Sequence, residues 1–238
     1  MFTVKNKENR GKTDISWLKS RHSFSFGDYY DPENMGFGAL RVINEDWVRP
    51  GAGFDTHGHR NMEIITYILE GELAHKDSTG GTGSIRPGEV QVMSAGKGIL
   101  HSEFNGSDTD PVHLLQIWIM PDAVNTAPGY RQKIFAPEEM RNRFRLLVSN
   151  DGSEGSLPIK QDAKLYAARL DAGAATQAHL ENTRKYWLQV ARGGVVAARD
   201  GVKMELGAGD ALTVDGETAT LNIMADAAAE VLLFDLPV

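Results

Sequence analysis

The sequence predicts an all-β fold that is built twice in tandem. Short apolar runs recur about every ten residues between glycine-rich turns, which is the spacing of a β-sandwich or barrel. The second half of the chain repeats the glycine spacing of the first: Gly71 and Gly88 are 17 residues apart, and Gly193 and Gly209 are 16 apart. A chain of 238 residues is long enough for one large domain or for two small ones, and it can bury a substantial core.

The predicted strands of the first half alternate with turns up to residue 121. The run Ile64–Leu69 is apolar on both faces, as in a strand buried between two layers. The strand that reaches Met120 ends at Pro121, because a proline nitrogen cannot donate to a sheet. The predicted elements are, in order, a strand at 40–44, a turn at 50–53, strands at 64–69 and 72–77, a hairpin turn at 79–83, and strands at 90–93 and 113–120.

Two other stretches differ from this pattern. Residues 21–37 are rich in aromatic and small polar side chains, and we expect Phe24 and Phe26 to lie in the core rather than in a pocket wall. Residues 122–160 are polar and irregular, with a short helix predicted after Pro137. We therefore predict a first domain at residues 1–135 and a second domain at residues 136–238.

Composition excludes several classes of protein. The net charge is −7 and the basic residues are dispersed, so we expect no direct contact with nucleic acid. No apolar run approaches the roughly 20 residues of a membrane helix, and the first residues lack the apolar core of a signal peptide, so we expect a cytoplasmic protein. There is no cysteine, which leaves histidines and carboxylates as the strong metal ligands.

Four of these side chains are spaced as pairs on two probable strands. His57 and His59 are two residues apart, and so are His101 and Glu103, so each pair lies on one face of its strand. Two such pairs facing each other would form a four-donor metal site. Glu63 has the same parity as His57 and His59 and is an alternative carboxylate ligand.

These donors do not select one metal, and they allow another interpretation. Imidazole suits zinc, copper, iron and nickel, whereas histidines with one carboxylate and open positions are typical of non-haem Fe(II) oxygenases. The same residues could instead be polar side chains on the solvated face of a sheet. The other histidines lack a clear partner, and we expect structural or surface roles for His22, His75, His113 and His179.

The two donor segments resemble the two cupin motifs, at residues 53–63 and 96–105. Upstream, the stretch RHSFSFGDYYDPENMGF at residues 21–37 resembles the pirin family of two-cupin proteins. The resemblance implies a bicupin, that is, two tandem antiparallel β-sandwich barrels. The sequence departs from the general cupin pattern in two respects, since seven residues rather than six separate Glu63 from Gly71 and no proline precedes His101.

The resemblance also implies a function. Pirins carry a mononuclear centre of the Fe(II) type, with His57, His59, His101 and Glu103 as the matching ligands here; manganese, cobalt, nickel, copper and zinc are alternatives. Some members open flavonols such as quercetin with dioxygen, as a quercetin 2,3-dioxygenase does, and Glu103 would then be both ligand and catalytic base. The alternative is a metal-binding regulatory protein that acts through protein partners in transcription.

The second half lacks a complete set of donors. Counting from Gly193 aligns His179 and Glu181 with His57 and His59, and counting from Gly209 aligns Asn222 and Met224 with His101 and Glu103. We therefore expect no tight metal site in the second domain.

Overall fold

The computed structural model describes all residues from 1 to 238 and confirms the predicted all-β class. Helical structure is limited to one α-helix, α1 (Pro137–Met140), and two 3₁₀ turns (Lys7–Asn9 and Ser153–Gly155). No helix is long and apolar enough to span a membrane.

The strands of the first half are β1 (Phe2–Lys5), β2 (Gly11–Asp14), β3 (Leu18–His22), β4 (Leu40–Val48), β5 (Gly53–His59), β6 (Glu63–Glu70), β7 (Leu73–Asp77), β8 (Thr82–Ile85), β9 (Glu89–Ser94), β10 (Ile99–Asn105), β11 (Val112–Ile119) and β12 (Gly129–Ile134). The strands of the second half are β13 (Arg145–Ser149), β14 (Leu157–Pro158), β15 (Lys164–Leu170), β16 (Ala175–Leu180), β17 (Arg184–Arg192), β18 (Gly194–Arg199), β19 (Val202–Gly207), β20 (Ala211–Asp215), β21 (Ala219–Met224) and β22 (Ala229–Pro237).

The N-terminal unit comprises residues 10–134 and 157–161 and contains two antiparallel sheets. Its seven-stranded sheet has the order β12-β9-β6-β11-β4-β3-β2, and its four-stranded sheet has the order β5-β10-β7-β8. Apolar side chains from both sheets form one core, for example Val48 and Ile68 from the larger sheet and Leu73 and Ile85 from the smaller one. Every residue of β6 except Glu70 is buried, which agrees with the apolar character of both of its faces in the sequence.

The C-terminal unit comprises residues 1–9, 135–156 and 162–238 and repeats this arrangement. Its larger sheet contains the order β1-β20-β17-β22-β15-β13, and its four-stranded sheet has the order β16-β21-β18-β19. Thus β16 and β21 correspond to β5 and β10, and the tandem repeat suggested by the glycine spacing is present in the strand order.

This division differs from the predicted boundary in two segments. Residues 1–9 belong to the C-terminal unit, because β1 pairs with β20 in register from Phe2 opposite Val214 to Lys5 opposite Ala211. Residues 157–161 belong to the N-terminal unit. A short polar strand such as β1 carries no signal for a partner more than 200 residues away.

Candidate metal centre

The candidate metal centre lies on the four-stranded sheet of the N-terminal unit, where β5 and β10 pair antiparallel. His57 lies directly opposite His101, and His59 lies opposite Ile99. Along β10 buried side chains alternate with more exposed ones, so that His101 and Glu103 both point into the unit. The shared face predicted for each pair of donors is therefore present.

A β-bulge in β5 adds an aromatic residue to this face. Between the pairs His101–His57 and Glu103–Phe54, β5 contains one residue more than β10. The extra residue reverses the alternation of side chains, so Phe54 and His57 lie on the same side, with ring centroids 6.5 Å apart. Strand parity alone would have placed these two residues on opposite faces.

Three imidazole rings converge on this face. The ring centroids of His57, His59 and His101 are 4.4 or 4.8 Å apart, and the Nε2 atoms of His59 and His101 are 2.9 Å apart. One nitrogen from each ring lies within 4.8 Å of the others. This is close to the roughly 4 Å between opposite ligands of one ion with bonds of about 2.1 Å.

The protonation and orientation of these rings suit metal binding. Burial, together with the neighbouring histidines, lowers the pKa of His59 to about 4 and the pKa of His101 to about 3. Both rings are therefore neutral near pH 7 and have a nitrogen lone pair for a metal. Nδ1 of His57 donates to the carbonyl oxygen of Asp55 at 2.7 Å, which leaves its Nε2 as the ligand atom.

The carboxyl group of Glu103 is held by two glutamines. Nε2 of Gln116 donates to Oε2 at 2.9 Å, and Nε2 of Gln91 lies 3.4 Å from Oε1. Burial raises the pKa of Glu103 to about 7, although the hydrogen bonds from both glutamines act in the opposite direction. A divalent cation would favour the ionised form, so metal uptake would release the proton that this group holds.

The structure adds a donor to which the sequence analysis assigned a structural or surface role. His75 lies opposite Glu103 on β7, and it forms a second group of potential ligands with His101 and Glu103. Its Nε2 donates to Oδ2 of Asp77 at 2.9 Å, while its buried Nδ1 has no hydrogen-bond partner. The sequence signal was a His-x-Asp pair on one strand face, but only the pairing of β7 with β10 brings it to this centre.

Glu63, the alternative carboxylate ligand, belongs to neither group of potential ligands. It lies on β6 in the larger sheet, where its Oε2 accepts a hydrogen bond of 2.6 Å from Ser94. Its parity with His57 and His59 has no spatial consequence, because the chain passes from one sheet to the other between His59 and Glu63.

The chemistry of the donors fits a divalent metal ion. Neutral imidazoles and a carboxylate are suitable ligands for Zn²⁺, Fe²⁺, Ni²⁺ and similar ions. His57, His59 and His101 converge without an opposing ammonium or guanidinium group among their hydrogen-bond partners. Glu103 is likewise held by neutral amides rather than by a cationic side chain.

A cavity of about 220 Å³ opens beside these donors, between the two sheets of the N-terminal unit. Its walls include Phe26, Phe54 and Trp118, and the ring of Phe26 packs edge-on against Trp118 at 5.3 Å. Phe24 is buried in the core as expected, whereas the prediction that Phe26 lies in the core is wrong. Residues 23–37 form successive turns rather than a strand, so the two aromatic rings do not share one face.

The corresponding strands of the C-terminal unit have an amide pair in place of two histidines. Gln177 on β16 lies opposite Asn222 on β21, as His57 lies opposite His101, and Nε2 of Gln177 donates to Oδ1 of Asn222 at 2.7 Å. The predicted alignment of His179 with His57 is therefore displaced by two residues. The displacement arises because β16 continues for three residues after Gln177, whereas β5 continues for two after His57, and because β17 has nine residues whereas β6 has eight.

We expect each chain to bind one divalent ion tightly, because neutral amides at Gln177 and Asn222 are weaker ligands than imidazoles. Metal analysis after dialysis should give about one ion per chain. His179→Ala should leave this ratio unchanged. A second ion with full occupancy at His179 and Glu181 would contradict the prediction.

Each half of the chain matches a known protein family. The family described as Pirin matches residues 3–119, and the family described as Quercetinase C-terminal cupin domain matches residues 146–236. A protein of Escherichia coli O157:H7 named quercetin 2,3-dioxygenase is 44% identical over 237 residues, which cover 100% of this chain and 99% of the relative.

Solved structures of pirins and quercetin dioxygenases are also similar to this chain. The bacterial pirin YhhW of Escherichia coli in complex with nickel(II) superimposes with a TM-score of 0.91 at 43% identity, covering 100% of this chain and 99% of that one. A quercetin 2,3-dioxygenase of Acinetobacter baumannii, at 19% identity, shares the fold with a TM-score of 0.71 and covers 96% of this chain and 84% of its own. From its full-length similarity and its two matched domains, this chain belongs to the pirin family of two-domain cupin proteins.

Proposed function

We propose that this protein is a metal-dependent dioxygenase of the quercetin 2,3-dioxygenase type, which opens a flavonol-like substrate with dioxygen. The observation that supports the proposal is that two groups of potential ligands share His101, and that His57, His59 and Glu103 from these groups line a largely apolar cavity. Four protein ligands leave up to two positions of an octahedral ion for substrate and dioxygen. The shared name of full-length relatives supports the choice of substrate class.

We favour Fe(II) as the native ion. Histidines with one carboxylate and open positions are typical of non-haem Fe(II) oxygenases. The relative YhhW binds nickel(II), and this site offers the same types of ligand to both metals. Manganese, cobalt, copper and zinc therefore belong in any test of activity.

In this reaction Glu103 would transfer a proton, and the aromatic residues of the cavity would bind the substrate. When bound, the ion supplies Lewis acidity, which lowers the pKa of a coordinated hydroxyl group. Glu103 accepts the hydroxyl proton at Oε1, the oxygen with the longer contact to a glutamine, while Gln116 holds Oε2 in place. Phe26, Phe54 and Trp118 pack against the flat faces of the substrate and exclude water.

The size of the cavity limits how the substrate binds. Its volume of about 220 Å³ is below the roughly 300–1,000 Å³ of typical pockets for drug-sized ligands. Only part of a three-ring flavonol is therefore enclosed, and the rest must lie at the mouth of the cavity. The part that carries the reacting oxygens would be the enclosed one, because the metal ligands line the wall.

We expect the purified protein, loaded with Fe(II), Mn, Co, Ni, Cu or Zn and supplied with air, to consume quercetin. The assay is the loss of flavonol absorbance together with the release of carbon monoxide, with metal-free protein as the control. Absence of turnover with every metal would favour the alternative function, a metal-binding regulatory protein that acts through a protein partner.

A further inference from the structure

The cavity has a second polar wall, which the seven-stranded sheet supplies. His57, His59 and Glu103 reach the cavity from the four-stranded sheet. Asn44 and Asp46 reach it from β4 of the seven-stranded sheet. A molecule bound between the two sheets would therefore meet polar groups from both of them.

Asp46 on this second wall has an unused hydrogen-bond acceptor. The residue is 3% exposed, and its Oδ1 is buried without a hydrogen-bond partner. Burial raises the pKa of Asp46 to about 7, although the hydrogen bond from Ser20 acts in the opposite direction. Buried polar atoms in folded proteins are almost always paired, so an unpaired carboxyl oxygen in a residue that lines a cavity indicates a missing partner.

The polar neighbours of Asp46 are already bonded to one another. Nδ1 of His22 donates to Oδ1 of Asn44 at 2.8 Å, and Nε2 of His22 accepts from the hydroxyl group of Thr13 at 2.9 Å. Burial lowers the pKa of His22, which agrees with a neutral ring that donates at one nitrogen and accepts at the other. These contacts hold the wall in place and leave the carboxyl group of Asp46, a residue that lines the cavity, with one oxygen unpaired.

We propose that Asp46 is a specificity-determining residue whose carboxyl group accepts a hydrogen bond from a second hydroxyl group of the substrate. The inference rests on the proposed function and narrows its substrate class. The substrate is then an aromatic molecule with hydroxyl groups at two separated positions, one for the metal and Glu103 and the other for Asp46. The aromatic side chains between the two walls contact the ring system that joins these groups.

The expected selectivity follows from the cost of leaving Asp46 unpaired. A site built to bond a hydroxyl group discriminates strongly against an analogue without it, because the buried protein group then has no partner. Hydrogen bonds to charged or strongly polar groups correspond to roughly ten- to a hundredfold in affinity. The protein should therefore bind a polyhydroxylated flavonol roughly ten- to a hundredfold more tightly than a flavonol with a single hydroxyl group.

The test is anaerobic binding to metal-loaded protein, so that affinity is measured without turnover. The probes are quercetin, galangin and 3-hydroxyflavone, the last of which has only the hydroxyl group that chelates a metal. We expect the wild type to bind quercetin or galangin about ten- to a hundredfold more tightly than 3-hydroxyflavone. Asp46→Val should reduce this ratio to near one, and Asp46→Asn should restore most of it, since an amide oxygen still accepts.

Two controls separate recognition from a structural role. Glu45→Gln alters the neighbouring acid on β4, which faces the other side of the strand and pairs with Arg10 and His113, and it should leave the ratio unchanged. Asp46→Val should also melt at or above the wild-type temperature, because it removes a buried carboxyl group of which one oxygen has no partner. A purely structural Asp46 would instead lower the melting temperature of both Asp46 variants.

An unchanged ratio in Asp46→Val, with full metal content, would overturn the inference and leave the proposed function intact. If Asp46→Val does not fold, the inference depends on Asp46→Asn, and a ratio near one in that variant would count against it. If the wild type binds none of the three flavonols, the inference and the proposed function fail together.

Discussion

Replacement of His101 by alanine is expected to remove the metal from the protein and leave the fold intact. His101 belongs to both groups of potential ligands, and its ring lies 4.4 Å from that of His57, 4.8 Å from that of His59 and 5.5 Å from that of His75. Changes in residues that merely support a ligand cost about 10- to 100-fold in metal affinity, so loss of a central ligand should cost more than about 100-fold.

The fold should persist because the core of the N-terminal unit does not depend on this ring. That core is an apolar cluster with members such as Val48, Ile68 and Leu73. The alanine variant leaves a small cavity, but it also removes a buried nitrogen, Nδ1 of His101, that has no hydrogen-bond partner. Circular dichroism and the melting temperature of the metal-free proteins would show whether the two effects offset each other.

The measurement is metal content per chain after dialysis, with His179→Ala as the matched control. His179 is an exposed histidine on the corresponding strand of the C-terminal unit. We expect about one ion per chain in the control and less than about a tenth of that in His101→Ala. Full metal occupancy in His101→Ala would show that the ligand assignment is wrong.

Replacement of Glu103 by glutamine should reduce the rate much more than the affinity for substrate. Glutamine has nearly the same size and can still coordinate weakly, but it is a very poor base. Loss of a general base costs about 10²- to 10⁴-fold in rate, so kcat should fall by that factor while KM changes by less than about tenfold. The comparison requires equal metal content, because Glu103 is also a proposed ligand.

The variant should fold, because its neighbours can adjust. The glutamine oxygen at position 103 can accept from Gln116, as Oε2 does now. The amide nitrogen at position 103 would face Gln91, whose Oε1 is buried without a partner and could accept after rotation of the side chain.

Glu63→Gln is the matched control for this experiment. Glu63 is also buried, but it belongs to neither group of ligands and bonds to Ser94. We expect its turnover of quercetin to match that of the wild type. Equal turnover by Glu103→Gln and the wild type would agree with the proposed enzyme activity but would show that Glu103 is not the base. Loss of metal from Glu63→Gln would restore Glu63 as a candidate ligand.

Several features of the candidate centre were predictable from the sequence because they depend on one strand at a time. Alternation of side chains along a strand put His101 and Glu103 on one face, and the structure has both residues buried on β10. The repeat of glycine spacing likewise predicted two similar units, since the turns of a repeated fold recur at similar intervals.

Strand pairing decided the features that the sequence left open. The bulge in β5 added Phe54 to the face of His57, and the register of β7 against β10 placed His75 opposite Glu103. The same applies to Gln177, which occupies the position that the glycine count had assigned to His179, because β16 and β17 each add one residue between Gln177 and Gly193.

The all-β class, the tandem repeat and the shared face of each donor pair therefore follow from the sequence alone. Three other features follow only from the folded chain: Asp46 lines the same cavity as Glu103, Phe26 is a wall residue and Glu63 lies apart from the ligands. The reason is physical: side-chain direction within a strand follows from local backbone geometry, whereas the neighbours across two packed sheets depend on register, bulges and turn lengths summed over the whole chain.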